Sequence, residues 1–385
     1  MNLTKQPQPP TPEQQPQLPA AATPLPNPYV GPRSYTAEDA KKKRNLYGRD
    51  RELQELMQLM IAQRIVLLFS PSGAGKSSLI NAALLPTLRK AGFTVLPVMR
   101  VAHEPPGPEL RKVDGFNRYV LSALMSLEEG RPKDEQREAR ELAGMRLTDY
   151  LNSRTAAAAA AADATTPDGQ QQRQDENKPL ALIFDQFEEI LTLDPTDIEA
   201  KREFFAQVGE TLRLPQHWAL FSMREDYVAS LDPFVRLIPT ALTSTYRLDL
   251  LGAAAARSAI RKPAADRGVD FTTAAALALI NDLRAVYVQQ PSGRAEKQLG
   301  PHVDPVHLQV VCYRLWEKLP VTSATKSIGE GDLKKGGDVN DALAGYYADS
   351  IAAVVKNKVT VQSLAAIHLG PESNRDRSNP EHLSQ

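Results

Sequence analysis

The sequence has little of what marks several large classes of protein. Its 385 residues include one cysteine, so no disulfide can form within the chain, and a reducing, cytoplasmic setting is expected. No apolar run approaches the roughly 18–20 residues that a membrane-spanning helix needs. The first residues, rich in glutamine and proline, do not resemble a signal peptide. We therefore expect a cytoplasmic protein with no membrane partner.

The chain also has no excess of positive or negative charge. Lysine and arginine number 46 together, as do aspartate and glutamate, so no overall positive charge draws the chain to nucleic acid. One cysteine and six scattered histidines give neither a metal-ligand spacing nor the pattern of a nucleophilic enzyme. The sequence thus predicts no nucleic-acid partner, no zinc site and no covalent catalysis.

What the sequence does contain is a strand, a small loop and a helix in immediate succession. Residues 65–69 (IVLLF) are apolar enough for a buried strand, and an apolar helical segment follows the loop 70–78 (SPSGAGKSS). This is the arrangement of a P-loop, or Walker A motif. The residues predicted to bind nucleotide here are Ser70, Ser72, Gly73, Ala74, Gly75, Lys76, Ser77 and Ser78.

The chemistry of the loop suits a triphosphate. Gly73 and Gly75 let backbone N–H groups turn toward phosphate, and the helix N-terminus adds partial positive charge. Lys76 is expected to reach the β- and γ-phosphates, and the Ser77 hydroxyl to ligate Mg²⁺. Ser70 stands where the pattern has glycine. The alternative is a chance Gly-Lys-Ser in a surface turn.

Further apolar segments predict a parallel sheet with helices on both faces, an α/β fold. Pro97 assigns the second strand to an edge of the sheet. After Gly252 the pattern becomes helical, which predicts a small all-α lid. The predicted strands after the first are 94–99, 180–184, 218–223 and 246–250, and the predicted helices are 49–60, 117–127, 253–260, 272–286, 306–319 and 344–355.

Acidic and basic residues follow two of these strands. Ligands of parallel sheets bind beyond the carboxyl ends of the strands, so Asp185 and Arg224 should meet the P-loop at one site. Asp185 suits the Walker B magnesium anchor, and Arg224 could sense the γ-phosphate. Otherwise Arg224 forms a salt bridge with Glu225 or Asp226.

Hydrolysis needs a carboxylate that positions the attacking water. Residue 186 is glutamine, so the common pair of adjacent acids is absent. We favour Glu189 as the general base, with Glu188 as the alternative. The competing interpretation is that both belong to a solvated helix start.

Together these segments resemble the novel STAND NTPases, signal-transduction ATPases related to the NACHT and NB-ARC proteins. The resemblance covers roughly residues 28–355. The segments that carry it are 47–53 (YGRDREL), 70–77 (SPSGAGKS), 117–122 (NRYVLS), 185–189 (DQFEE), 223–227 (MREDY) and 303–309 (VDPVHLQ).

The resemblance implies an ASCE-type P-loop fold with sheet order 5-1-4-3-2 and a helical lid. It implies that Tyr47, Gly48 and Arg49 contact adenine, where residues alone also allow an ordinary helix start. It further implies that Pro305 lies against the nucleotide and that Arg224 senses phosphate. Similar proteins bind ATP or ADP with Mg²⁺, hydrolyse ATP slowly, and bind partners or self-associate in the ATP state.

The expected organisation has four parts. Residues 1–28 form a disordered Pro/Gln-rich tail, either passive or a docking arm, and residues 29–250 form the P-loop domain with a low-complexity insertion at 155–178. Residues 251–355 form the lid. Residues 356–385 form a C-terminal tail, with the winged helix of similar proteins truncated or absent.

The function expected from the sequence is a slowly hydrolysing ATP switch in signal transduction or defence. The alternative is a nucleotide-binding interaction module without turnover, motivated by Gln186 and by the lack of a C-terminal repeat array. A P-loop kinase or GTPase is disfavoured, because the Asn-Lys-x-Asp guanine signature is absent.

Overall fold

The computed structural model describes residues 23–161, 178–289 and 293–352, apart from positions 37, 40, 41, 43, 337, 338, 340, 347 and 349–351. The predicted tails before residue 23 and after residue 352, and most of the low-complexity insertion, lie outside the described residues. Within the described part, no helix has both the length and the apolar character to cross a membrane.

A five-stranded, wholly parallel sheet organises the larger unit. Its strands lie in the order β5-β1-β4-β3-β2, so the P-loop strand β1 is flanked by β4 and β5. The strands are β1 Ile65–Ser70, β2 Thr94–Val95, β3 Leu180–Phe184, β4 His217–Arg224 and β5 Thr245–Arg247. Near-continuous apolar sequence in β1, β3 and β4 fits a sheet covered on both faces.

Helices cover the two faces of this sheet. They are α1 Asp50–Gln63, α2 Lys76–Leu79, α3 Leu85–Lys90, α4 Arg118–Glu128, α5 Ala139–Ala143, α6 Leu147–Ala161, α7 Glu189–Thr192 and α8 Ile198–Leu212, with one π-helical turn, Ile80–Leu84, joining α2 to α3. Alternate residues of β1 enter different cores: Ile65 and Leu67 pack with α4 and α8, and Val66 and Leu68 pack with α1 and α2.

The second strand is shorter than its apolar sequence predicts. Only Thr94–Val95 pairs as a strand with β3, and an isolated parallel bridge joins Met99 to Phe184. Pro97 interrupts the pairing because it has no N–H to donate. As predicted, β2 occupies an edge of the sheet.

The smaller unit, residues 251–346, has a core of its own. Its helices are α9 Ala253–Ala265, α10 Thr273–Leu283, α11 Pro305–Lys318 and α12 Glu330–Gly336. Its strands pair as β6 Leu251–Gly252 with β10 His302–Val303, β7 Asp270–Phe271 with β11 Ser327–Ile328, and β8 Ala285–Gln289 with β9 Ala295–Leu299.

The prediction that this unit is all-α is therefore wrong. The helix predicted over 272–286 ends at Leu283, and the antiparallel pair β8–β9 follows it. The physical reason lies in the sequence: residues 285–289 (AVYVQ) are rich in β-branched and aromatic side chains, and a Pro-Ser-Gly sequence separates the two strands. Most of the helix predicted at 344–355 lies outside the described residues.

Part of the segment that the sequence assigned to the N-terminal tail contacts the smaller unit. Leu25 donates its N–H to the Val321 carbonyl (3.1 Å) and accepts from the Trp316 indole (3.3 Å). Tyr29, fully buried in the core of the smaller unit, donates its hydroxyl to the Ile260 carbonyl. Residues 23–35, which we call the strap, are thus held by the smaller unit, because their few apolar side chains find partners there.

Candidate nucleotide site

A cavity of about 210 Å³ lies where the carboxyl end of the sheet faces the smaller unit and the strap. Residues predicted from distant parts of the sequence meet in its wall. Those that line it are Tyr47, Arg49, Ser72, Gly73, Ala74, Gly75, Lys76, Ser77, Ser78, Asp185, Glu188, Arg224 and Pro305. Gly48, Ser70 and Glu189 lie outside the lining.

The P-loop has the backbone that phosphate binding requires. Gly73 and Gly75 have φ values of +79° and +94°, in the left-handed region that glycine adopts without strain. Helix α2 begins directly afterwards, at Lys76. Its unpaired N–H groups and its dipole make this helix start favourable for anions.

Ser70, the departure from the P-loop pattern, has a defined role. It is fully buried at the end of β1, and its hydroxyl accepts a hydrogen bond from Lys76 Nζ at 2.8 Å. The same hydroxyl donates to the Pro71 carbonyl at 2.7 Å. Serine at this position therefore holds the lysine beside the cradle, which glycine could not do.

Lys76 lies among opposite charges at the cavity. Burial lowers its pKa, and the negative charges of Glu188 and Asp185 act in the other direction. The ammonium donates once to Ser70 and has two further N–H donors for a bound phosphate.

Asp185, the residue after β3, is almost completely buried. Its Oδ1 accepts from the Ser222 hydroxyl on β4 at 2.8 Å. Its Oδ2 is buried without a hydrogen-bond partner among the described residues, although Arg100 Nη2 approaches to 3.5 Å. A carboxylate fixed on one side and unpaired on the other can hold a hard cation or its water.

The two candidate bases have different surroundings. Glu188 lines the cavity, and its Oε2 accepts from the Arg224 N–H at 3.3 Å. Glu189 opens α7 outside the lining. Burial raises the pKa of Glu189, which Arg100 opposes and Glu188 reinforces. Of the two carboxylates, Glu188 is the one placed to meet a ligand.

Arg224 ends β4 at the cavity, but its guanidinium is also paired. It donates to Asp226 at 2.8 Å and lies 5.6 Å from the centre of the Tyr227 ring. The salt bridge that the sequence allowed is therefore formed in this structure. The pair is substantially exposed, so the energy that holds the guanidinium there is small.

Arg49 serves the P-loop from behind. Only 5% of it is exposed, and its guanidinium donates to the carbonyls of Ala74 and Asp249 at 2.8 Å each and to Glu52 at 2.8 Å. These contacts brace the phosphate loop against the chain after β5. They give Arg49 a structural part in addition to its place in the cavity wall.

The turn before α1 is tied to the smaller unit. The Tyr47 hydroxyl donates to Asp266 at 2.7 Å, and Lys262 Nζ lies 5.2 Å from the centre of the Tyr47 ring. Gly48 has a φ of +82°, and a Cβ there would lie 2.4 Å from the Ala255 carbonyl oxygen. This close backbone approach requires glycine.

Replacing Gly48 with alanine is expected to destabilise the protein by about 3 kcal/mol or more, because backbone strain and a clash with α9 add together. The matched control is Gly92→Ala, where φ is +89° but no atom lies within 4 Å of the added Cβ. That change should cost only about 1–2 kcal/mol. Chemical denaturation measures both losses, and equal losses would contradict the close approach.

Pro305 begins α11 at the cavity. The preceding Asp304 caps this helix through Oδ1, which accepts from the N–H groups of Val306 (2.7 Å) and His307 (3.1 Å). Its Oδ2 lies 3.4 Å from where a Cβ on Gly73 would stand. The start of α11 is thus packed against the phosphate loop.

Several residues of the site were missed by sequence reasoning. Ser222 is a lone hydroxyl within an apolar strand, and that polarity was a signal that could have marked it. Arg100 and the strap carry no recognisable motif, and Gln309 was given no role although it ends the segment 303–309. Their place at the site follows only from the tertiary structure.

A search of curated proteins found no match. Among solved structures, the Walker-type ATPase PABY2304 of Pyrococcus abyssi is 11% identical, with a TM-score of 0.48 over 85% of this chain and 78% of that one. The ORC2 protein of Aeropyrum pernix, in ADPNP–ADP complexes, is 15% identical, with a TM-score of 0.45 over 76% and 68%.

The family comparison reaches further. The model of the family Novel STAND NTPase 1 matches residues 28–363, which takes in residues 28–35 of the strap, the sheet, the cavity and the smaller unit. The chain therefore belongs to the novel STAND NTPase family and is a nucleotide-binding P-loop NTPase.

Proposed function

We propose that the protein is an ATP-driven molecular switch that binds ATP with Mg²⁺ and hydrolyses it slowly to ADP and phosphate. One observation carries this proposal: Lys76 and Asp185 line the same cavity, one as a cation within the phosphate cradle and the other as a buried carboxylate whose Oδ2 has no hydrogen bond among the described residues. That pairing suits a triphosphate and its metal ion.

The residues fit a magnesium ion. Among the described residues, the buried Oδ2 of Asp185 has an ion pair with Arg100 at 3.5 Å and no hydrogen bond, so a hard cation or a water that the cation holds would complete its coordination. The Ser77 hydroxyl lines the same cavity and is the second candidate ligand. When bound, Mg²⁺ supplies neutralising charge to the β- and γ-phosphate oxygens.

The chain's own groups would then do the following. Backbone N–H groups of residues 73–76 and the start of α2 hold the phosphates, and Lys76, positioned by Ser70, donates to the β- and γ-phosphate oxygens. Arg224 exchanges its exposed partner Asp226 for the γ-phosphate. We assign water activation to Glu188, because it lines the cavity, rather than to Glu189, which the sequence favoured.

The switch part of the proposal rests on the shared walls of the cavity. The sheet unit contributes the P-loop, and the smaller unit contributes Leu251, Ala259 and the start of α11. A ligand that contacts two packed units differently in its ATP and ADP forms biases their arrangement. We propose that exchange of ADP for ATP changes this arrangement and promotes self-association or partner binding in signal transduction or defence.

Asp185→Asn tests the metal role. Losing the negative charge should lower Mg²⁺-dependent phosphate release by about a hundredfold or more, because the site depends on this anchor. The matched control is Asp282→Asn, which removes an exposed carboxylate paired with Lys297 in the smaller unit. If Asp185→Asn releases phosphate at the wild-type rate both in magnesium and in EDTA, the assignment is contradicted.

The switch itself is tested by light scattering after size exclusion in ADP, ATP and a non-hydrolysable ATP analogue. We expect a larger species with the analogue than with ADP. The same mass in all three buffers, together with no phosphate release, would support the non-hydrolysing interaction module instead.

A further inference from the structure

The strap connects the smaller unit to the P-loop helix. The Asn27 side chain donates to the Tyr313 carbonyl on α11 at 3.0 Å. Further along, the Val30 N–H donates to Gln309 Oε1 at 3.2 Å, also on α11. The strap then crosses to the sheet unit, where the Tyr35 N–H donates to Ser78 Oγ at 3.1 Å. The strap thus bridges the sheet unit and the smaller unit.

Five consecutive strap residues, 31–35, line the cavity. The P-loop residues 72–78 fix where the phosphates lie, so the rest of a nucleotide must extend toward the remaining wall. Beside the polar and charged residues Arg49, Asp185, Gln186, Glu188, Arg224 and Gln309, that wall consists of the strap residues and of largely apolar side chains: Leu46, Tyr47, Leu251, Ala259, Pro305, Val306 and Leu308. Apolar surface with a few polar groups suits a base and its ribose.

Ser78 joins the strap to the phosphate end. Its hydroxyl oxygen accepts from the Tyr35 N–H and keeps its own proton to donate. Ser78 lines the cavity one residue beyond Ser77, so a phosphate bound there would offer an acceptor for this proton. The strap can therefore be held in place by the same nucleotide that it encloses.

Asp39 fixes the conformation of this wall from outside the cavity. It is only 2% exposed, and it accepts from Arg33 Nη1 and Nη2 at 2.6 and 2.5 Å. It also accepts from the N–H and the hydroxyl of Thr36, both at 2.9 Å, and Arg44 lies at 3.8 Å. These contacts hold the chain on both sides of Tyr35 around one carboxylate.

We propose that residues 31–35 of the strap form the wall that binds the nucleoside part of the nucleotide, and that Asp39 is its positioning residue. This inference rests on the proposed function, since it requires that ATP occupy the cavity. The strap would then determine nucleotide specificity, because its residues contact the base and the ribose while the P-loop contacts the phosphates.

The test compares two probes, Mg²⁺·ATP and inorganic tripolyphosphate with Mg²⁺, by calorimetric titration of the full chain. In Asp39→Asn, ATP affinity should fall about tenfold or more, whereas tripolyphosphate affinity should stay within about twofold of the wild-type value. Lys76→Ala should weaken both probes. The matched control is Asp332→Asn. Asp332 lies in the smaller unit and accepts hydrogen bonds from the Gly329 N–H and from Lys335 Nζ.

Arg33→Gln provides a second variant should Asp39→Asn fail to fold. It removes the same Arg33–Asp39 ion pair by changing the partner that is half exposed. The same selective loss of ATP affinity is expected. Equal weakening of both probes, or no weakening of either in a folded variant, would overturn the strap assignment alone. A wild-type chain that binds neither probe would contradict the proposed function as well.

Discussion

Replacing Lys76 with alanine is expected to reduce ATP affinity by about a hundredfold or more and phosphate release to background. The ammonium is held by Ser70 in the cavity, where Glu188 and Asp185 contribute negative charge. Without it, two carboxylates would face the triphosphate with no side-chain cation of the P-loop to offset them. The loss should therefore exceed that of one ordinary hydrogen bond.

The control for this change is Lys90→Ala. Lys90 ends α3 of the same P-loop segment and is exposed, away from the cavity. Fluorescent-nucleotide titration and phosphate release should be unchanged in the control and lost in Lys76→Ala. Wild-type turnover in Lys76→Ala would show that the P-loop is not the site of the reaction.

Glu188→Gln is expected to separate binding from hydrolysis. ATP affinity should change by less than about threefold, while hydrolysis falls by about a hundredfold or more, the usual contribution of a general base. The reason is that glutamine keeps the size and the acceptor for the Arg224 N–H but cannot take a proton from water. Single-turnover phosphate release with pre-bound ATP measures the chemical step directly.

Glu189→Gln is the matched neighbour for that experiment. Glu189 lies outside the cavity lining, so the hydrolysis rate of Glu189→Gln should remain within about threefold of the wild-type rate. The opposite pattern, with hydrolysis lost in Glu189→Gln and kept in Glu188→Gln, would return the role of base to Glu189. Loss in neither variant would remove both carboxylates from the reaction.

The sheet could be predicted because its sequence is strongly constrained. Strands β1, β3 and β4 are largely buried, so each appears as a near-continuous apolar run, and β1 is followed by a motif with few other uses. Asp185 and Arg224 could be placed at the same edge because carboxyl ends of parallel strands converge. Pro97 likewise marked β2 as an edge strand.

What could not be predicted depends on contacts between distant segments. Arg49 reaches the Asp249 carbonyl, 200 positions away in sequence, and nothing local distinguishes this buried brace from a base-binding arginine. The strap is similar, since Tyr29 and Leu25 are ordered by partners on α9 and α11 that follow hundreds of residues later. The β8–β9 hairpin was missed because helix-favouring alanine and leucine run directly into it.

The central claim is that the P-loop and Asp185 bind one triphosphate together with its metal ion. Calorimetric titration of ATP into the wild-type chain, with Mg²⁺ and with EDTA, tests this most directly. We predict one ATP bound per chain, with an affinity that falls by about tenfold or more when Mg²⁺ is removed. Absence of ATP uptake, or an affinity that does not depend on Mg²⁺, would contradict the claim.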